Sequence, residues 1–237
     1  MLKAVSLAVL VLLVYVILPG ATPRSEAQAE KPAYPNMAGV DQYLIPGQDA
    51  EVALARSAAP KSISDGAEVM VLGQDGYRTA VKGTNGFMCL VERGWGAATT
   101  EAEFWNPKVR SPICFNAAAA RSFVPIYLMK TRLALAGKSK EEMARAISSA
   151  FDSRELPTLE SGAMCYMTSR QQYLSDSGKS WHPHLMFFVP GDVAKDWGAN
   201  LPGSPVMAAN DPEERATIFM VWVGNWSDGT PASQGMH

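Results

Sequence analysis

The stretch from residue 83 to 94, Gly-Thr-Asn-Gly-Phe-Met-Cys-Leu-Val-Glu-Arg-Gly, combines a turn signal, a strand pattern and a cysteine. Asn85-Gly86 readily takes the two left-handed conformations of a type I′ hairpin, because Gly has no Cβ and Asn tolerates positive φ. Such a loop sets antiparallel register, so Lys82 is expected opposite Cys89. The sequence therefore predicts a hairpin here.

A second turn signal, Gln74-Asp75-Gly76, follows the apolar run 68–72, so three strands joined by two tight turns predict a β-meander. Alternation places Cys89 on the accessible side of this meander. The expected core side is formed by Tyr77, Thr79, Val81, Met88 and Leu90.

Two helices are predicted after the meander. Asn116 is a good N-cap for a helix that runs to Ala136, and Pro125 should kink it or divide it into two shorter helices. Ser139 and Glu142 form a capping box for the next helix, which ends near Phe151. Further strands are predicted at 163–168, 185–189, 205–208 and 217–223. Because strands, helices and strands follow in blocks, we expect an α+β fold: a mixed or antiparallel sheet built on the meander, with two helices on one face.

Residues 1–29 have the pattern of a signal peptide: Lys3, an apolar run at 4–18 and the small-x-small site Ala27-Gln28-Ala29. The alternative is an uncleaved anchor, but the run is shorter than the roughly 20 residues that a spanning helix needs. Residues 30–237 are then expected to form a single exported domain, periplasmic or extracellular. Within it, 30–60 is expected to be extended apart from a short helix at 48–57, and 228–237 to be a flexible tail.

The formal charge is −2, with 21 Lys and Arg against 23 Asp and Glu. Nucleic-acid binders usually cluster Lys and Arg, so nucleic acid is not an expected partner. After cleavage of the leader, no further run is apolar enough to predict a membrane span.

Three cysteines leave one unpaired in an exported chain. Cys89 and Cys114 are the predicted disulfide, since Cys89 lies on the accessible side of the hairpin and Cys114 in a Pro-containing loop that must return to the sheet. Cys165 is then the free thiol. It lies in an apolar strand, where a cysteine is usually an inert small hydrophobe.

His182-Pro183-His184 would place both imidazoles on one face of a strand, where they are candidate ligands for Zn or Cu. A third ligand would come from Asp176, Asp192 or Cys165. The alternative is that the histidines are hydrogen-bonded packing residues. Cys165 and His184 are also candidates for a catalytic nucleophile and base, since a nearby imidazole activates a thiolate.

Methionines inside predicted strands are expected to fill the core, although thioethers prefer Cu(I) and would suit soft-metal handling. Four tryptophans near the end of the sheet are candidates either for a ligand groove or for the rim of the core: Trp181, Trp197, Trp222 and Trp226.

Gly83-Thr84-Asn85-Gly86-Phe87 with Cys89, then Cys114 before a helix, Ala163-Met164 and Pro183-His184-x-Met186 together resemble a group of exported bacterial proteins of unknown function. The resemblance implies export, a Cys89–Cys114 bridge and a recurring His184. It implies no activity, and Cys165 and His182 lie outside the shared pattern.

The usual local motifs of hydrolases, thioredoxins and nucleotide-binding proteins do not occur in the sequence. Catalytic and ligand-binding residues therefore stay unknown at this point. The favoured hypothesis is a non-enzymatic envelope domain that binds a small ligand or a partner. The alternative is a metal- or thiol-dependent hydrolase centred on His184.

Overall fold

An eight-stranded sheet runs through residues 33–232, the part of the chain that this computed structural model describes. The strands are β1 (Glu68–Gly73), β2 (Gly76–Val81), β3 (Met88–Glu92), β4 (Ser111–Phe115), β5 (Met164–Met167), β6 (His184–Pro190), β7 (Met207–Asp211) and β8 (Ala216–Trp222). Their spatial order is β2-β1-β3-β4-β5-β6-β8-β7. The β1–β3 pair is parallel, whereas the other neighbours are antiparallel. The α+β class with a mixed sheet is confirmed.

Five α-helices and two short 3₁₀ helices lie within the same described residues. The α-helices are α1 (Gln48–Arg56), α2 (Lys61–Ser64), α3 (Ala117–Ser122), α4 (Val124–Leu135) and α5 (Lys140–Asp152), and the 3₁₀ helices are Val40–Tyr43 and Gly94–Gly96. Pro125 lies at the start of α4 and so divides the predicted first helix in two. Asn116 caps α3, and Ser139 with Glu142 forms the predicted capping box of α5.

The predicted hairpin between β2 and β3 is wrong, and with it the meander. Gln74 and Asp75 do form the tight β1–β2 turn, but β3 pairs with β1 from the other side. Asn85-Gly86 lies instead in a loop that crosses the end of β1, where the amide of Thr84 donates to the carbonyl of Gly66 at 2.8 Å. This crossing needs Gly83, because a Cβ there would approach the backbone nitrogen of Glu68 to 2.3 Å.

β1 takes the inner position because it is buried on both faces, whereas no residue of β2 is fully buried. A strand that is apolar on both faces gains more burial in the middle of a sheet than at its edge. Tertiary burial has therefore overridden the local turn signal.

β4 is a central strand that the sequence analysis assigned to a loop, because Pro112 usually excludes an interior strand. Every residue of β4 is buried. Pro112 pairs with Val91 of β3, while the described pairing of β4 with β5 begins only at Cys114. The missing N–H of the proline therefore costs no hydrogen bond to β5.

Helices cover both faces of the sheet, whereas two helices on one face were expected. We call the face that carries Leu90, Ile113 and Cys165 the α4 face, because these side chains share a core with α3, α4 and α5. The opposite face, which carries Val69, Cys89 and Cys114, packs against α1 and is called the α1 face. The predicted helix at 48–57 is therefore present as α1, and it packs on the sheet.

Cys89 and Cys114 lie directly opposite each other on β3 and β4 and form the predicted disulfide, with their Cα atoms 4.0 Å apart. Both are fully buried beneath α1, so the expectation that Cys89 lies on an accessible side is wrong. The bridge connects segments 25 residues apart, which stabilises the fold by about 3 kcal/mol in the chain-entropy picture.

The predicted leader 1–29 lies outside the described residues, as do residues 233–237. Within the described part of the predicted tail, the amide of Ala232 donates to the carbonyl of Gly224, and Trp226 and Thr230 also share a backbone hydrogen bond. Residues 228–232 are therefore held in a turn. No helix among residues 33–232 is long and apolar enough to cross a membrane.

Candidate functional site

His184, the first residue of β6, is a buried packing residue. Its Nδ1 lies 2.7 Å from the carbonyl oxygen of His182, and its ring meets Trp181 edge-on at 4.7 Å. Burial lowers the pKa of His184, and the hydrogen bond with the His182 carbonyl opposes that shift. The imidazole is therefore buried, engaged with a backbone carbonyl and packed against an indole, as the packing alternative predicted.

His182 does not join His184 in a metal-ligand cluster. Its ring stacks on Trp222, with the ring centroids 4.6 Å apart. Asp176, a predicted third ligand, accepts hydrogen bonds from Tyr34 and Tyr173 and pairs with Lys108 instead. Among residues 33–232, no group of three or more His, Cys, Asp and Glu side chains is arranged to hold a metal ion.

Cys165 is the free cysteine and is fully buried in β5. Burial raises the pKa of its thiol well above the usual range, and the nearby Glu92 carboxyl raises it further. A nucleophilic thiol needs the opposite shift. Cys165 therefore behaves as the small core residue that its apolar surroundings predict.

An apolar groove lies on the α1 face of β6 and β8. α1 covers this face at β1, β3 and β4, and residues 192–206 cover it at the other end of the sheet. Between these two covers, Phe187 keeps 36% of its surface exposed and Val221 keeps 47%. The groove is thus the part of the α1 face that neither cover reaches.

The floor of the groove follows from the strand register. Phe187 lies opposite Phe219 on β6 and β8, and Val221 lies two residues further along the same face. Successive side chains on a strand alternate between faces, so these three side chains project together. The alternation that buries Phe188 in the α4-face core leaves Phe187 on the opposite side.

One wall of the groove is the segment 192–206, which is fixed to the sheet at three points. Trp197 stacks on Phe219 with the ring centroids 4.5 Å apart. The Thr217 hydroxyl accepts from the amide of Val193, and the Asn200 side chain makes hydrogen bonds to both the amide and the carbonyl of Ala208. The wall is therefore preformed.

The groove has a volume of 1220 Å³ and an uncharged lining. None of the described residues that line it has an ionisable side chain. Ligand sites are usually apolar clefts of about 300–1,000 Å³, so this groove has room for a small molecule. Trp197 supplies an aromatic surface at the rim, with 58% of its area exposed.

Two of the four tryptophans proposed for a groove line it. They are Trp197 and Trp222, and Trp222 also stacks on His182. Trp181 packs with the two histidines, and Trp226 lies in the turn near residue 230. Only the backbone register separates these roles, because all four residues look alike in sequence. Phe187 and Val221 were missed for the same reason.

A second feature that sequence reasoning missed is buried charge beside α4. Lys130 forms a buried ion pair with Glu214 at 2.5 Å, and its ammonium group also donates to the carbonyl of Ala97. Glu92 lies nearby, and burial together with the Glu214 charge raises the pKa of its carboxyl to about 8, against the influence of Lys130.

No match links this chain to a known protein, whether it is compared with family models, with curated proteins or with solved structures. The resemblance to exported bacterial proteins therefore stays a prediction.

Proposed function

We propose that this chain is an exported, non-enzymatic binding domain that holds a small, uncharged apolar molecule in the groove on β6 and β8. The observation that carries this proposal is an open groove of 1220 Å³ whose described lining has no ionisable side chain. Apolar surface removed from water contributes about 25 cal/mol per Å², so an apolar ligand gains from covering Phe187 and Val221.

The groove also requires little rearrangement before it binds. Residues 192–206 are held to the sheet by contacts within the chain itself, which involve Trp197, Thr217 and Asn200. A preformed site avoids the cost of ordering loops on binding. This supports a dedicated binding site over an incidental exposed patch.

The test is binding of the uncharged fluorescent probe N-phenyl-1-naphthylamine to the purified full-length protein. Val221→Glu introduces a carboxylate into the groove, and we expect it to weaken binding at least about tenfold, because an apolar ligand would have to desolvate that charge. Leu201→Glu is the matched control, since Leu201 lies in the wall segment 192–206 and is 55% exposed but is not one of the residues that line the groove.

Equal probe affinity in the two variants would contradict the proposal. Both substitutions lie at exposed positions, so both proteins should keep the unfolding midpoint of the wild type, and a lost signal in Val221→Glu then reports on the groove rather than on folding.

Export is the second part of the proposal and rests on the leader pattern together with the Cys89–Cys114 bridge, since disulfides persist in oxidising compartments. Protein recovered from outside the cytoplasm should begin at Glu30. Recovery of a chain that still begins at Met1 in the membrane fraction would contradict cleavage.

No described contact of His184 or Cys165 favours the alternative hydrolase. Both side chains are buried, and the Nδ1 of His184 is engaged with a backbone carbonyl.

A further inference from the structure

Three methionines lie side by side on the α4 face at the outer end of the sheet. Met186 of β6 pairs directly with Met220 of β8, and Met220 pairs directly with Met207 of β7. Directly paired residues on antiparallel strands project from the same face, with their Cβ atoms about 4.5–5.5 Å apart. We call Met186, Met220 and Met207 the methionine row.

Core packing does not account for the whole row. Met186 packs against the α4-face core, but Met207 and Met220 belong to none of the hydrophobic clusters formed by the described residues. All three are only partly buried, in contrast to Met143 and Met167, which are at most 6% exposed. Met207 and Met220 also line the groove, so part of each of these two residues is within reach of a ligand.

The positions beside the row are uncharged. His184 and Trp222 form the adjacent pair on one side, and Phe188 and Ile218 form the adjacent pair on the other. His184 is a poor additional ligand, because it is buried and its Nδ1 is engaged with a backbone carbonyl. The ligand set is thus neutral sulfur without carboxylates, which does not suit a hard cation such as Mg²⁺ or Ca²⁺.

The register allows the three sulfur atoms to converge. Met220 lies in the middle, and each outer methionine is one strand spacing away, about 4.8 Å. Methionine is unbranched with three rotatable side-chain bonds, so Met186 and Met207 can both turn their sulfur atoms toward that of Met220. Thioethers are soft ligands that select Cu(I).

We propose that the thioethers of Met186, Met220 and Met207 together bind one Cu(I) ion. The strand pairing places these side chains on the α4 face, and Met207 and Met220 also contribute to the lining of the groove. The Cu(I) site therefore borders the groove, although its ligand set rests on the strand register and not on the proposed apolar ligand. Copper stays in the Cu(I) oxidation state on binding and on release, so the proposal includes no redox step.

The experiment is a titration of the full-length protein, carrying ¹³C-labelled methionine methyl groups, with Ag(I), a soft ion that has the charge of Cu(I) and does not change oxidation state. We expect the methyl signals of Met186, Met207 and Met220 to shift together and to saturate at one ion per chain. Competition with a Cu(I)-selective chelator then measures the affinity for Cu(I) itself.

Met220→Leu should weaken Cu(I) binding at least about tenfold. Loss of a group that only orients a metal ligand already lowers metal affinity by about 10- to 100-fold, and Met220 is itself a ligand. Met129→Leu is the matched control, since Met129 is also partly buried but lies on α4, away from the row. Leu is close to Met in volume, so both variants should fold.

Three outcomes would overturn the proposal: Ag(I) shifts spread over methionines outside the row, no saturation at one equivalent, or equal Cu(I) affinity in Met220→Leu and Met129→Leu. If Met220→Leu fails to fold, Met207→Leu decides in its place, because Met207 is on the edge strand and outside every described core cluster.

Discussion

The two ends of the sheet are built differently. The inner half, β1, β3, β4 and β5, is packed against α1 on one face and against α3, α4 and α5 on the other, and it contains the disulfide. The outer half, β6, β8 and β7, is only partly covered. Among the described residues, the large hydrophobic side chains that are exposed all lie on the strands of the outer half or on the segments that connect them: Phe187, Trp197, Leu201, Val221 and Trp222.

This difference indicates that the two halves have different roles. Buried apolar area and a covalent bridge give the inner half the stability of the fold. The outer half can then leave apolar and thioether groups exposed, because it extends a rigid sheet whose register holds them in place. Sites built on strands of a stable scaffold are positioned more accurately than sites on loops.

The largest expected contrast concerns ion pairs. In the inner half, Glu51 accepts from Arg93 at 2.9 Å and from the amide of Leu72 at 3.1 Å, and both charged side chains are at most 2% exposed. Glu51→Ala leaves the Arg93 charge buried without its carboxylate, with only the backbone carbonyls of Tyr43 and Val91 as acceptors, which should lower the free energy of unfolding by about 3–5 kcal/mol. Denaturant unfolding measures this loss.

The matched control is Glu160→Ala, which removes the 2.6 Å partner of Arg121 in a pair that is 41–62% exposed. That change should cost about 0–1 kcal/mol, since water solvates the remaining charge. Similar losses in both variants would contradict the contrast between a buried and a solvated pair.

The next contrast concerns apolar truncation. Ile113 is fully buried in β4, so Ile113→Ala should cost about 2–5 kcal/mol through lost burial and a residual cavity. Val221→Ala in the groove should cost less than about 1 kcal/mol, because nearly half of that side chain is already exposed. Unfolding of the two variants in urea gives the comparison, and a large loss at Val221 would show that the groove floor is part of the stabilising core.

The sequence predicted the features whose causes lie within a few residues. Asn116, the Ser139–Glu142 box and Pro125 each act within one helical turn, and the structure shows each of them as expected. The Asn85-Gly86 hairpin failed because its competitor, the burial of β1 on both faces, depends on strands far away in sequence. Local signals were reliable only where no long-range burial opposed them.

The candidate sites could not be predicted from the sequence, for a related reason. Phe187 and Phe188 are adjacent and chemically identical, yet one is exposed in the groove and the other is buried. The methionine row exists only because β8 lies between β6 and β7, so that Met220 faces both neighbours. Neither exposure nor cross-strand register can be obtained from the spacing of residues along the chain.

A smaller effect concerns Glu92 of β3. In addition to the effect of burial, the pKa of its carboxyl is raised by the charge of Glu214 in the β7–β8 turn and lowered by that of Lys130 on α4, so it depends on both halves of the sheet. Burial raises the pKa of Glu92 from 4.5 to about 8. Between these pH values the folded chain binds more protons than the unfolded chain, so this group makes stability fall as the pH rises. Glu92→Gln removes that slope.

Thermal unfolding at pH 5 and pH 9 tests this prediction. On going from pH 5 to pH 9, the free energy of unfolding of Glu92→Gln should rise by at least about 1 kcal/mol relative to that of the wild type. Glu214 and Lys130 remain in both proteins, and Glu155→Gln on the surface controls for the loss of one carboxylate. Parallel pH profiles for Glu92→Gln and the wild type would contradict the assignment.

The smallest expected effect concerns the edge strand β7. The Asn200 side chain accepts from the amide of Ala208 at 3.2 Å and donates to its carbonyl at 2.7 Å, so it occupies backbone groups that an edge strand would otherwise present to another chain. Asn200 has a φ of 61°, so Asn200→Gly removes the side chain without backbone strain. We expect Asn200→Gly to lower the free energy of unfolding by about 1 kcal/mol and to speed hydrogen exchange at the Ala208 amide.

Asn200→Asp keeps an acceptor for that amide and should keep its exchange slow. If exchange at Ala208 is equally fast in both variants, the amide is not protected by this side chain, and the wall of the groove must be held by Trp197 and Thr217 alone.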